Sequence, residues 1–228
     1  ELEAFQAHTV PINRARFSPD GQYLATAADD GVVNIRDAAS GQEIATLAAH
    51  IKPVYGLTFG PNNRLLATAG ADRTAKIWDL ANIIAGGAKT AQPLQILFGH
   101  KDQVNAVAIG PNGKFAATAS EDELVKVWDV ATGEPLLTLY GHSNRITDVA
   151  FNPRGDQLAS ASEDWTVKLW KPSSSDILTG HNGWVRTVDF SPDGKQLVTA
   201  SDDKTVRLWD GESGDTLRLL SGHTDDVN

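Results

Sequence analysis

The chain has 228 residues, within reach of a single all-β sandwich, barrel or propeller, so its length does not force two domains. Hydrophobic residues make up 41% and charged residues 21%, which excludes a disordered, collagen-like or coiled-coil chain, and a globule this size buries roughly 70% of its unfolded surface without a disulfide or metal staple. Twenty Lys plus Arg against 29 Asp plus Glu leave a formal charge of −9, the wrong sign for binding nucleic acid through phosphate neutralisation.

The absence of cysteine agrees with a reducing compartment, and the cytoplasm is the expected location. The apolar run nearest to a membrane span, Ile83-Ile84-Ala85, stops at Gly86-Gly87, far short of the eighteen or so residues a bilayer requires, so no membrane partner is expected. Glu1 is not a translational start, and any signal segment is expected to lie upstream of it.

In chain order, Leu2-Glu3-Ala4-Phe5 reads as a lone strand, and His8 then opens a unit that recurs. His8, His50, His100, His142, His181 and His223 are 42, 50, 42, 39 and 42 residues apart, and 28 residues beyond each of the first five stands Arg36, Trp78, Trp128, Trp170 or Trp209. The interior of the unit is therefore constant in length; only the connection to the next histidine varies. Inside the units lie the turns Ser18-Pro19-Asp20-Gly21, Gly60-Pro61-Asn62-Asn63, Gly110-Pro111-Asn112-Gly113, Asn152-Pro153-Arg154-Gly155 and Ser191-Pro192-Asp193-Gly194. Proline supplies the φ that a type I turn needs and glycine closes it, the second copy being looser. Around the last turn, residues 184–190 alternate apolar and polar, and 196–200 and 205–209 are rich in β-branched residues, as strands are. A fourth strand precedes each histidine, as in residues 135–140. Each unit is thus predicted to be a four-stranded antiparallel meander. A single meander cannot hide both faces from water, so neighbours must stack.

Gly-His at 99-100, 141-142, 180-181 and 222-223, with Trp-Asp at 78-79, 128-129 and 209-210, resembles the WD40-repeat β-propeller family, and the resemblance covers essentially the whole chain. It implies an all-β, WD40-type propeller forming one domain over residues 1–228, with blades at 9–48, 51–98, 101–140, 143–179 and 182–220. Residues 1–7 are left as a closing strand and 221–228 as the start of a further blade. In that family the first strand of the chain completes the last blade, so five complete blades with two leftover pieces imply an excerpt of a six- or seven-bladed ring. The alternative is an open arc that a neighbouring chain completes through its unclosed blade edge.

His, Ser and Asp recur as trios at His100, Ser120, Asp122, at His142, Ser162, Asp164 and at His181, Ser201, Asp203, each followed by Trp128, Trp170 or Trp209. A catalytic triad has the same side chains, but an enzyme has no use for three copies in adjacent blades. The resemblance implies a structural tetrad in which the indole N–H donates to the serine and a His–Asp bond locks the strands together. The second unit keeps His50, Asp72 and Trp78 but has Gly70 at the serine position, so its network reads as one link short. The first keeps His8 and Asp30 with Ala28 and Arg36, and its blade is expected to be the most labile. Histidines one blade apart, and acidic pairs without alternating oxygen donors, give no metal site, and no cofactor motif is present. A catalytic propeller requires a channel cluster that is not repeated from blade to blade, and none is evident.

Alternate turns of a meander lie at the same end, so the histidine and aspartate loops share one face. Positions three and five beyond each histidine, with the residue before each tetrad aspartate, are expected to ring the channel mouth there. They supply the candidate partner-binding residues Tyr55, Gln103, Asn105, Glu121, Arg145, Glu163, Trp184, Arg186 and Asp202, among which Trp, Tyr and Arg are the types enriched at hot spots. Trp165 is expected to pack over its own hairpin, and the long connection from Trp78 to His100 to be a flexible surface insertion. The expected function is a non-enzymatic scaffold for a protein or peptide, with no small-molecule substrate. The alternative is a sensor or autoinhibitory domain of a multidomain signalling ATPase, kinase or protease.

Overall fold

A computed structural model describes residues 7–86, 91–171 and 174–227. The first sheet consists of β1 (Ile12–Phe17), β2 (Tyr23–Ala28), β3 (Val32–Asp37) and β4 (Glu43–Ala48). The second holds β5 (Val54–Phe59), β6 (Leu65–Gly70), β7 (Thr74–Asp79) and β8 (Gln95–Phe98), with helix α1 (Leu80–Gly86) between the last two. The third holds β9 (Val104–Ile109), β10 (Phe115–Ser120), β11 (Val125–Asp129) and β12 (Pro135–Leu139). The fourth holds β13 (Ile146–Phe151), β14 (Leu158–Ser162), β15 (Val167–Lys171) and β16 (Ser174–Leu178), and the fifth β17 (Val185–Phe190), β18 (Gln196–Ser201), β19 (Thr205–Asp210) and β20 (Thr216–Ser221). Each sheet is an antiparallel meander with its strands in sequence order. The Leu2–Phe5 strand expected from the sequence lies outside the described residues. Residues 222–227 carry no strand, although the Val227 N–H donates to the Ser201 carbonyl at 3.2 Å.

The innermost strands β1, β5, β9, β13 and β17 follow one another round an arc, each packed on the next. The hydrophobic cores lie between sheets. Val33, Ile35 and Leu47 of the first sheet meet Leu57, Phe59 and Leu66 of the second, and three similar clusters fill the next three junctions. Side-chain size follows the wedge between radiating sheets. Near the axis the second strands present Ala67-Thr68-Ala69-Gly70 or Ala117-Thr118-Ala119-Ser120, small enough for close approach, whereas Ile77, Leu97 and Trp128 fill the wider space further out. The arc is open. Val198 and Leu220 in the fifth sheet are 36% and 42% exposed, while their counterparts in the second, Ala67 and Leu97, are at 0%.

The Trp78–His100 connection differs from the expected flexible loop. Asp79 accepts the Asn82 N–H at 3.0 Å, a capping bond for α1, and Leu80 and Ile83, one helical turn apart, are each 1% exposed within the core between the first and second sheets. Periodicity over seven residues is too short to separate such a helix from a loop. Ile83→Ala is expected to lower unfolding free energy by about 2–4 kcal/mol and Asp79→Ala by about 1 kcal/mol, read from urea unfolding curves.

Candidate functional site

The recurring polar groups form buried hydrogen-bond chains. In the third sheet the Trp128 indole N–H donates to the Thr118 hydroxyl at 2.8 Å, the Thr118 hydroxyl reaches His100 Nε2 at 2.7 Å, and His100 Nδ1 meets Asp122 at 2.9 Å. The same order runs through Trp170, Ser160, His142 and Asp164, through Trp209, Thr199, His181 and Asp203, and through Trp78, Thr68, His50 and Asp72. With the imidazole neutral and its proton on Nδ1, each link uses one donor and one acceptor. The hydroxyl then donates to Nε2 while accepting from the indole. No group in the chain is left over, and none is free to attack a substrate.

The linking hydroxyl is not the expected one. Ser120, Ser162 and Ser201 lie outside the chains. Ser120 donates to the Asp102 carbonyl and Ser162 to that of Arg145, while Ser120, Ser162 and Ser201 all accept the N–H of the tetrad aspartate two residues on. They clamp turns. The cause is register: Trp128 lies opposite Ala116, so its indole reaches Thr118 diagonally, while Ser120 is at the strand end. The second sheet is consequently complete, with Thr68 as its link. Gly70 is a close fit there, since a Cβ at this position would lie 2.8 Å from the His50 ring. In the first sheet His8 holds Asp30 and Thr26, but Arg36 supplies no indole to Thr26 and instead bonds the Gly41 carbonyl and Glu43.

These chains set an acid limit. Burial pushes the Asp72, Asp164 and Asp203 carboxyls up, but accepted hydrogen bonds overcome it and hold all three far below the ordinary 3.8. The donors are His50 and Thr74, then His142 and Thr166, then Thr205, the Asn182 N–H and His181. Burial moves His181 below its ordinary 6.5 despite Asp203. At all of these groups the folded state binds fewer protons than the unfolded state, so their stability is complete above the ordinary values and is lost as pH falls. The urea midpoint is expected to decline first between pH 6.5 and 5, as unfolded His181 gains a proton, and more steeply below 3.8. Thr118→Val, which strands both the indole and the imidazole, is expected to cost about 2 kcal/mol or more, against about 1 kcal/mol for Ser120→Ala, in the same measurement at neutral pH.

A β-bulge aims one residue of each innermost strand at the axis. The ladder skips Asn13, Tyr55, Asn105, Thr147 and Arg186, each five positions beyond its histidine. Three of them stitch neighbouring sheets: Asn13 donates to the Val54 carbonyl at 3.1 Å, Asn105 to that of Ile146 at 2.9 Å and Thr147 to that of Val185 at 2.6 Å. Of the nine expected partner-binding residues, Tyr55, Gln103, Asn105, Glu121, Glu163 and Arg186 line one cavity of about 460 Å³ at the channel mouth. Arg145, Trp184 and Asp202 stand beside it. Gln103 donates to Glu121, which also pairs with Arg145 at 3.1 Å. Arg186 is held by two bonds to Asp202 at 2.7 and 2.5 Å and lies 4.8 Å over the Trp184 ring. Burial, and then Asp29 and Glu121, raise the Tyr55 hydroxyl above its usual pKa. Trp165 is half exposed with a left-handed φ of 70°, shared by Arg73, Glu123 and Lys204 at the same turn position.

Below the mouth, the alternate residues that follow each bulge share a second cavity of about 320 Å³. Most are small, such as Gly56, Ala106 and Ala108, but four are charged: Arg14, Arg16, Asp148 and Asp189. This set occurs once, contrary to the expectation that no unrepeated cluster occupies the channel. The residues are scattered over three units, and only the bulge reveals that they share a face. Asp148 is committed to the fold, accepting from the Val149 N–H, the Thr187 hydroxyl and the Val188 N–H.

A family model described as WD domain, G-beta repeat matches residues 1–37, 41–79, 91–129, 133–171 and 173–210. No curated protein matches the chain. From the second onward, each matched segment starts with the outermost strand of one sheet and ends with the third strand of the next, so the repeat unit straddles two sheets.

Proposed function

Because the chain belongs to the WD40 repeat family, whose repeats generally act as protein-interaction scaffolds, we propose that it is a non-enzymatic platform that docks a protein or peptide on the face carrying the histidine loops. The residues proposed to meet the partner are Tyr55, Gln103, Asn105, Glu121, Arg145, Glu163, Trp184, Arg186 and Asp202. One observation carries this reading. Trp184 is 42% exposed, yet its ring is backed by a guanidinium that two hydrogen bonds hold still. A fixed, flat aromatic surface loses little entropy on binding, which is what a hot spot needs. The polar neighbours are already paired within the chain, so the partner matched to this face contributes an apolar side chain to Trp184 and a charged or polar rim around it. Among the described residues no helix is long and apolar enough to cross a membrane.

Peptides selected from a random display library against the chain are expected to bind this face. Trp184→Ala is expected to weaken them by about 2 kcal/mol or more, roughly thirtyfold, in fluorescence-polarisation titrations. Binders indifferent to both Trp184→Ala and Arg186→Ala would remove the reading.

A further inference from the structure

We infer that Arg14 and Arg16 form a binding site for a small oxyanion, a carboxylate or phosphate group, on the wall of the central channel. The site is independent of the platform reading. It begins with strand parity: residues two apart on β1 point the same way, and both guanidinium groups line the 320 Å³ cavity, with Arg14 also reaching the mouth above it. Among the described residues neither makes an ion pair, and the one hydrogen bond from either is that of Arg16 to the adjacent Ala15 carbonyl. Arg36, Arg145, Arg154 and Arg186 each have a carboxylate, whereas Arg64, Arg73, Arg207 and Arg218 make no ion pair among the described residues either; what sets Arg14 and Arg16 apart is that the two line one cavity together.

The carboxylates across the cavity do not take that place. Asp148 is satisfied by its three donors. Asp189 accepts the Phe190 N–H and feels the charge of Arg16 without touching it. Crowding by the channel wall, with some repulsion from Asp148, holds its carboxyl above the ordinary range although the side chain keeps contact with water. The two guanidinium groups lie on one side of β1, Arg14 half-buried and Arg16 exposed, and an oxyanion between them relieves the repulsion of like charges while receiving the planar fork geometry that guanidinium groups provide. The ligand is small. A single anionic group fits the volume, and on the side of the mouth four carboxylates, Asp29, Glu121, Glu163 and Asp202, two of them within the lining of the upper cavity, disfavour a polyanion.

The test titrates inorganic phosphate and, separately, acetate into the 228-residue chain at constant ionic strength, following the arginine side-chain Nε–H signals by NMR. Saturable shifts confined to Arg14 and Arg16 are expected with at least one of the two anions, and the responding anion identifies the source chemistry. Arg14→Gln and Arg16→Gln should each weaken binding about tenfold or more, while Arg154→Gln leaves it unchanged. Asp189→Asn, which removes a repelling charge, should tighten it severalfold, a gain that misfolding does not mimic. Equal shifts with chloride, or unchanged affinity in both arginine variants, would overturn the proposal.

Discussion

Each sheet in this fold has two apolar faces and no interior of its own, and the rest of the structure follows from that constraint. The cores exist only at junctions, so no blade is stable until its neighbour is in place. Apolar contact alone does not set the angle at which neighbours meet. The buried Trp–hydroxyl–His–Asp chains do so in the second to fifth sheets, because hydrogen bonds in a dry interior tolerate little deviation and a broken link leaves a desolvated group without a partner. They tie the second and third strands to the loop that enters from the preceding sheet. The straddling repeat adds a covalent tie, since the outermost strand of one sheet and the first three of the next belong to one segment.

The meanders, their order and their turns were legible because period-two alternation and Pro-Gly punctuation report directly on backbone geometry. The linking hydroxyl was legible too, though at another position. A Thr or Ser stands 18 residues beyond each of the first five histidines, at Thr26, Thr68, Thr118, Ser160 and Thr199, whereas serine 20 residues beyond is found in only three of the five. Completeness of recurrence is a better guide than likeness to a catalytic trio. Helix α1 was hidden by its brevity. The channel cluster was hidden because bulges shift side-chain parity, and a bulge leaves no residue signature when the skipped positions are as varied as Asn13, Tyr55 and Arg186.

Division of labour among neighbouring positions separates what holds the chain from what can recognise something else. The histidine, the hydroxyl and the aspartate are needed at every blade and so do not differ between blades. The bulged position is freer. Asn13, Asn105 and Thr147 spend their donors on the next sheet, and Arg186 bonds Asp202 within its own sheet and pairs with Glu163 of the preceding one at 3.7 Å, but Tyr55 makes no such stitch among the described residues. A residue released from stitching can vary in chemistry without cost to the fold, and Tyr55 faces the mouth.

The same reasoning separates the two channel levels. At the mouth, the guanidinium of Arg186 is already neutralised and Glu121 already accepts from Gln103 and Arg145, so an incoming group gains most from apolar contact with Trp184 and least from charge. Lower down, the small residues of β5 and β9 leave room, and the charges of Arg14 and Arg16 are unspent. Arg14 is the one side chain that lines both cavities, beside their shared wall on β1.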